Sequence, residues 1–255
     1  MEAFFPTEPL QPFVHRYLLI ESREGMVNRL LPDTSLVLSI RLQGKVSLAA
    51  HDTIVDLPTF TLSGLRKTNR IANYGEYTAN LLVVFRVGAA TAFFKEPLHG
   101  LFEAHVPLDQ LEGHSGLHLL EEQLGEAVHT TDRVALVERY LLQQLLGTKS
   151  DPLILESIRR IQAKQGQVKI RELAGSLYIS QDAFEKRFRR LAGVTPKQFA
   201  FITKMRAIVL RAQQQDSLAD MAFDAGYYDL PHFNKDFKLF TGQTPTAFQQ
   251  QPIIM

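Results

Sequence analysis

Residues 184–199 read FEKRFRRLAGVTPKQF, and residues 233–248 read FNKDFKLFTGQTPTAF. At an offset of 49 they match at Phe184/Phe233, Lys186/Lys235, Phe188/Phe237, Gly193/Gly242, Thr195/Thr244, Pro196/Pro245 and Phe199/Phe248. A repeat fixes architecture before any single residue is weighed. The segment ahead of each copy repeats more loosely, as Glu172-Leu173-Ala174 and Asp220-Met221-Ala222. Leu173-Ala174, then Ser180, then Phe184 and Phe188, is the spacing of two short helices joined by a tight turn. The second half of the chain does this twice. A helix-turn-helix usually serves to lay its second helix in the major groove of DNA.

Punctuation sharpens the reading. Thr195-Pro196 and Thr244-Pro245 are each an N-cap followed by proline at the first helical position, where its missing N–H costs nothing. Gly193 and Gly242 suit the left-handed residue that closes a helix. The expected helices are 153–164, 170–176, 181–191, 196–213, 218–224, 230–240 and 245–250. The fourth has 18 residues and spans roughly 27 Å, against about 34 Å for one turn of B-DNA. A connector of that length suits two recognition helices placed in successive major grooves. A spacing slightly under one turn would bend the DNA.

Working outward, charge divides the chain in the same place. Residues 1–151 carry 13 Lys+Arg against 18 Asp+Glu, and residues 152–255 carry 15 against 9. The basic half is the repeated half, and neutralised phosphates supply most sequence-independent DNA affinity. The whole has 255 residues, 45% hydrophobic and 22% charged, as expected of a soluble globular protein of one large or two ordinary domains. There is no apolar run of 18 residues and no basic stretch leading an apolar core at the N-terminus, so neither a membrane span nor a secretory signal is expected. The absence of cysteine excludes disulfides, thiol nucleophiles and thiolate metal sites.

The first half reads differently. VHRYLLIE, SLVLSIRL, KVSLAA and YTANLLVVFRV are short apolar or β-branched runs between residues 13 and 87. Turn signals lie between them at Pro32-Asp33, Gln43-Gly44, Pro58 and Asn73-Tyr74-Gly75. That spacing predicts a β sandwich or barrel. Ala89–Phe94 reads as a helical turn, and helical periodicity begins at Leu117. In a helix expected at 131–146, Val134, Val137, Leu141 and Leu145 share a face, widened by Leu136, Leu142 and Leu146. It packs either within its own domain or against a partner subunit. The fold class is therefore α+β: a β-rich domain with C-terminal helices over 1–147, a linker at 148–152, and an all-α double helix-turn-helix domain over 153–255.

The second copy runs Met221-Ala222, Gly226-Tyr227, Phe233, Lys235-Asp236-Phe237-Lys238 and Gly242-Gln243-Thr244-Pro245. With the first copy and the helix between them, it resembles the AraC family of bacterial transcription regulators. The resemblance covers residues 153–250, and the first half is similar to β-rich domains that precede some members. It implies a DNA-binding regulator whose N-terminal domain binds a small-molecule effector, forms a homodimer, or both. An activator would also meet RNA polymerase. It implies no cofactor, no metal and no membrane partner, and a cytoplasmic, nucleoid-associated protein. Some proteins join such a module to cysteine-based DNA repair, which this cysteine-free chain cannot perform.

The outward set on helix 181–191 is Gln181, Asp182, Glu185, Lys186 and Arg189. The resemblance implies base-edge contacts at 182, 185 and 186. Asp182 or Glu185 would accept from a cytosine amino group, and Lys186 would reach guanine. An intrahelical Asp182–Lys186 pair competes with that reading. Arg187 and Arg190 suit phosphates or solvent. On helix 230–240 the outward set is Leu230, Pro231, Asn234, Lys235 and Lys238, after an N-cap at Asp229. Many members of the family carry polar residues where this chain has Leu230-Pro231, a departure that counts against polar base readout there and leaves an apolar contact to a thymine methyl as an alternative.

No HExxH, GxGxxG or P-loop occurs, and the eight histidines are scattered, which reads as ordinary surface histidines, including His114 and His118. The rival functional class is a small-molecule-binding or enzymatic β-barrel with an accessory basic helical module. An architectural DNA binder without an effector is a further reading.

Overall fold

The computed structural model describes residues 1–50, 53–114, 116–147 and 151–250. The linker expected at 148–152 lies outside the described residues at 148–150, as do residues 251–255 of the helical domain. Contacts divide the chain into two compact units. The first holds residues 1–28, 35–64 and 71–150; the second holds 151–255 together with the segments 29–34 and 65–70.

Among the described residues the first unit is built on a sheet of eight strands: β1 Glu2–Phe4, β2 Val14–Leu30, β3 Val37–Gln43, β4 Val46–Ala50, β5 Thr53–Asp56, β6 Phe60–Ser63, β7 Arg70–Phe85 and β8 His105–Pro107. The order is β1-β2-β7-β3-β6-β8, with β4 pairing β5 and β7. The turn expected at Asn73-Tyr74-Gly75 does not form. β7 runs straight through it and changes partner instead: Ile71–Tyr74 pair with β4, and Ala79–Val84 pair with β3. Gly75 and Tyr77, the latter at φ 50, stand between the two pairings. Thr78 Oγ1 accepts from the Lys45 amide and donates to the Lys45 carbonyl, each at 3.2 Å. Turn-forming residues here serve a corner within a strand.

Leu10, Val14, Tyr17, Ile40, Leu62, Leu81 and Phe85 are fully buried in this unit. Phe85, Phe93, Phe94 and Phe13 interlock at ring distances of 5.3–5.7 Å. Two helices, α1 Leu117–Glu126 and α2 Thr130–Gln143, pack on each other. α2 stops at Gln143, short of the expected 146. Its stripe Val134, Val137 and Leu141 is buried inside the unit, so these three residues are core and present no surface to a partner. Leu142 and Leu146 remain 38% and 48% exposed.

His114 corrects the expectation of a surface histidine: it is buried. Its Nε2 lies 3.1 Å from the Phe93 carbonyl oxygen and its Nδ1 2.7 Å from the Tyr140 hydroxyl. A carbonyl only accepts, so Nε2 carries the proton and Tyr140 donates to Nδ1. Burial pushes the imidazole pKa down, against a smaller opposing effect of the Phe93 carbonyl.

In the second unit the described helices are α3 Pro152–Ala163, α4 Ile170–Ser176, α5 Gln181–Ala192, α6 Pro196–Gln213, α7 Leu218–Asp224, α8 Leu230–Thr241 and α9 Pro245–Gln250. Their ends follow from side-chain caps. Thr195 Oγ1 accepts from the Gln198 amide at 3.1 Å while Gln198 Oε1 accepts from the Thr195 amide at 2.9 Å, a complete capping box. Gly193 and Gly242 close α5 and α8 at φ 77 and 79. Gly166, at φ 78, brings the turn after α3 against the α6 backbone: a Cβ there would strike Ala200 O. α6 packs on α3, α5, α7 and α9, and buries Phe199, Ile202, Met205, Ile208, Val209 and Ala212.

Candidate nucleic-acid interface

Each motif holds its second helix by a phenylalanine ladder. In α5, Phe184 and Phe188 are fully buried with rings 5.7 Å apart, and Phe188 meets Phe199 of α6 edge-on at 5.5 Å. In α8, Phe233 and Phe237 lie 5.8 Å apart, and Phe237 meets Phe248 of α9 at 5.4 Å. Pairs at i,i+4 on one face turn the remaining faces outward.

On α5 the outward side carries Gln181, Asp182, Lys186 and Arg189 exposed, with Glu185 half-buried. Gln181 Nε2 donates to Glu185 Oε1 at 3.0 Å, so one helical turn binds these two residues into a unit. On α8 the outward side carries Leu230, Pro231, Asn234, Lys235 and Lys238, all exposed. The Ser180 and Asp229 side chains cap the two helices, accepting from Ala183 and His232 amides. Each cap thus takes up one backbone donor of its helix's first turn beside these side chains.

Arg187, expected at phosphate or solvent, is instead engaged within the fold. Its Nε and Nη2 meet the two Asp151 carboxylate oxygens at 2.8 and 2.6 Å, a bidentate pair. Asp151 also caps α3 by accepting from the Ile154 amide, and Arg187 holds its carboxyl below the usual range. The same repeat position in α8 is Asp236, which likewise serves the fold. Asp236 accepts from the Tyr227 hydroxyl at 2.8 Å and lies 3.6 Å from His232 Nε2. Lys204 of α6 sits 3.9 Å over the Tyr227 ring. Burial first and Asp236 second push the Tyr227 phenol upward, so it stays a donor.

Two residues escaped the sequence reading. Tyr178 and Tyr228 are fully exposed, one in each interhelical turn. The turns differ by one residue. Ile179 N donates to Ala174 O in the first, and Tyr227 N to Ala222 O in the second, so Tyr178 corresponds to Gly226 and Tyr228 is an extra residue before the cap. The shift of offset from 48 at Leu173/Met221 to 49 at Ser180/Asp229 is the sequence signal for that insertion.

Residues 173–251, spanning both motifs, match the family model described as a helix-turn-helix domain. This stretch therefore belongs to that family of helix-turn-helix domains. A helix-turn-helix domain over both motifs supports a DNA-binding transcription regulator. Residues 2–107 match a domain of unknown function, DUF6597. No curated protein matches this chain. Among solved structures it is similar to ToxT from Vibrio cholerae O395, at 11% identity and TM-score 0.47, covering 94% of this chain and 98% of that one. The C-terminal domain of AraT, a response regulator from Geobacillus stearothermophilus, gives 16% identity and TM-score 0.39, covering 42% of this chain and 92% of that one. The AraC-like transcriptional activator CuxR gives 12% and 0.31, covering 87% and 90%. No described helix is long and apolar enough to cross a membrane. Among the described residues no three His, Asp or Glu side chains gather as a metal site.

Proposed function

We propose that this regulator recognises DNA through α5 and α8 in successive major grooves, using Gln181, Asp182, Glu185, Lys186 and Arg189 on one and Leu230, Pro231, Asn234, Lys235 and Lys238 on the other. The observation that carries the proposal is the pairing of two ladder-anchored helices whose outward faces hold these side chains in the basic half of the chain. Residues 153–255 act as the DNA-binding domain, residues 1–147 as the regulatory domain, and 148–152 as the linker. The protein works in the cytoplasm at the nucleoid. RNA polymerase is its partner if it activates.

Effector binding is the role we assign to the first unit. An open cleft of about 470 Å³ there is lined by Pro58, Phe60, Leu117, His118, Asp109 and Glu121, within the volume range of small-molecule sites. Leu142 and Leu146 are the apolar residues of α2 and its C-terminal end left for a homodimer contact.

Selection of bound sequences from a random DNA pool by the purified protein tests the reading. The expected result is one enriched site with two half-sites about 10 base pairs apart, bound with an affinity that falls steeply between low and moderate salt. No enrichment, or an affinity indifferent to salt, rejects it.

A further inference from the structure

The two recognition helices follow one pattern but differ in chemistry at the same two positions. Gln181 and Asp182 of α5 correspond, at the offset of 49, to Leu230 and Pro231 of α8. All four lie in the first turn after an N-cap whose side chain is taken up by the helix's own backbone. Packing does not account for the apolar pair. Leu230 is 47% exposed and Pro231 is exposed, while Phe233 and Phe237 of the same helix carry the core contacts. Tyr228, immediately before the cap, is fully exposed as well. The first turn of α8 thus presents two exposed apolar side chains, and exposed Lys235 and Lys238 follow on the same helix. Leu230 and Pro231 are adjacent exposed apolar residues at the positions where the other recognition helix carries Gln181 and Asp182.

Position and charge say which surface. The tip occupies the place that Gln181 and Asp182 occupy on the other recognition helix, and the lysines behind it suit a polyanion. In the major groove a single apolar group is on offer, the C5-methyl of thymine. We propose that α8 reads its half-site by contact of Leu230 and Pro231 with thymine methyls, while α5 reads by hydrogen bonds. The inference rests on the DNA-binding reading above and assigns a chemistry to one half of it. Proline is well suited to such a contact, because its ring is held at one backbone angle and has no rotamer freedom to lose.

Deoxyuridine scanning of the selected site tests the proposal with the full chain. Uracil keeps every hydrogen-bonding group of thymine and deletes only the methyl. Each thymine is replaced singly and affinity is measured by fluorescence anisotropy. The expected result is a loss of roughly 3- to 5-fold per contacted methyl, confined to thymines of one half-site. Leu230→Ala, at a solvent-exposed position, should leave the thermal melt unchanged and abolish the thymine–uracil difference at one of them. Pro231→Ala should do the same at a neighbour. Coupling of this kind between residue and methyl is what a double-mutant cycle measures. A uracil-tolerant site, or sensitivity that survives both substitutions, overturns the proposal while leaving DNA binding intact. Leu230→Ala that spares DNA binding and the scan but lowers transcription shows a protein-facing tip and equally overturns it. Failure to select any site would instead reject the underlying DNA-binding reading.

Discussion

Exchanging the residue types at Tyr178 and Gly226 should move stability in opposite directions by similar amounts. Both residues close the first helix of their motif in the left-handed region, at φ 55 and 74. Both sit in the same hydrogen-bond frame, with Tyr178 N donating to Gly175 O at 3.0 Å and Gly226 N to Phe223 O at 2.9 Å. An L-residue with a Cβ costs about 1–2 kcal/mol in that region, while glycine gives back about 0.5–1 kcal/mol through the greater freedom of its unfolded chain. The Tyr178 ring is fully exposed, so removing it forfeits no packing. Tyr178→Gly should therefore stabilise the protein by roughly 0.5–1 kcal/mol.

Gly226→Ala is the mirror experiment. A Cβ at Gly226 meets nothing within 4 Å, so its cost is conformational and should be roughly 0.5–1 kcal/mol. Urea denaturation followed by far-ultraviolet circular dichroism resolves such changes, because at about 2 kcal/mol/M they shift the midpoint by roughly 0.3–0.5 M. The double variant should return close to wild type. Gly166→Ala supplies the contrast: its Cβ would meet the Ala200 carbonyl and Lys204 backbone, and it should cost more than Gly226→Ala. If Tyr178→Gly lowers the midpoint, the equivalence of the two turns is refuted.

Phe237→Ala should destabilise the protein by about 3–5 kcal/mol, since the ring is fully buried between Phe233 and Phe248; calorimetry reads it. Lys186→Ala and Lys235→Ala should each cost about 1–3 kcal/mol at the selected site and relax preference at one base pair. Equal losses on selected and random DNA would assign these lysines to phosphates. His114 titrates lower folded than unfolded, so the unfolded chain binds the proton more readily. Its contribution is complete above the ordinary imidazole pKa of about 6.5 and is lost as pH falls below it. Melts at pH 5 and 7.5 should differ less for His114→Gln than for the wild type.

The helical unit was legible because its signals are local. Caps, proline at the first position, closing glycines and the i,i+4 phenylalanines each act within one turn of chain, and each expected helix from α3 to α9 begins and ends where the sequence puts it or within one residue. The sheet was less so. Asn73-Tyr74-Gly75 carries turn chemistry, yet β7 passes through it because pairing with β4 and β3, which is nonlocal, outweighs the local preference. Arg187 could not be assigned from the sequence, since its partner Asp151 lies 36 residues away. His114 looked like any polar residue until Phe93 and Tyr140 closed around it. On the interface, outward faces follow from helical period alone. The one-residue insertion at Tyr228 was present in the changed offset but is visible only when both ends of the motif are aligned.

What joins the two motifs is the helix between them. A surface helix buries one stripe, but α6 buries residues on most of its circumference, from Phe199 and Ala200 round to Ile202, Met205 and Ile208. It can do so because α3 and α5 pack on it from the first motif, and α7 and α9 from the second. Neither motif therefore owns a complete core, and each lends α6 a wall that the other lacks. Met205 shows the sharing: it is fully buried, and its sulfur lies 3.4 Å from the Tyr227 hydroxyl that also holds Asp236 of α8. A helix-turn-helix protein commonly fixes the spacing of its two reading helices by dimerisation. In this chain the element that joins α5 and α8 is covalent and buried. A truncation in the middle of α6, Met205→Ala, should accordingly weaken both half-sites together and leave unfolding of the helical unit a single transition. If chemical denaturation instead resolved two steps, with α5 and α8 lost separately, the shared-core argument would fail.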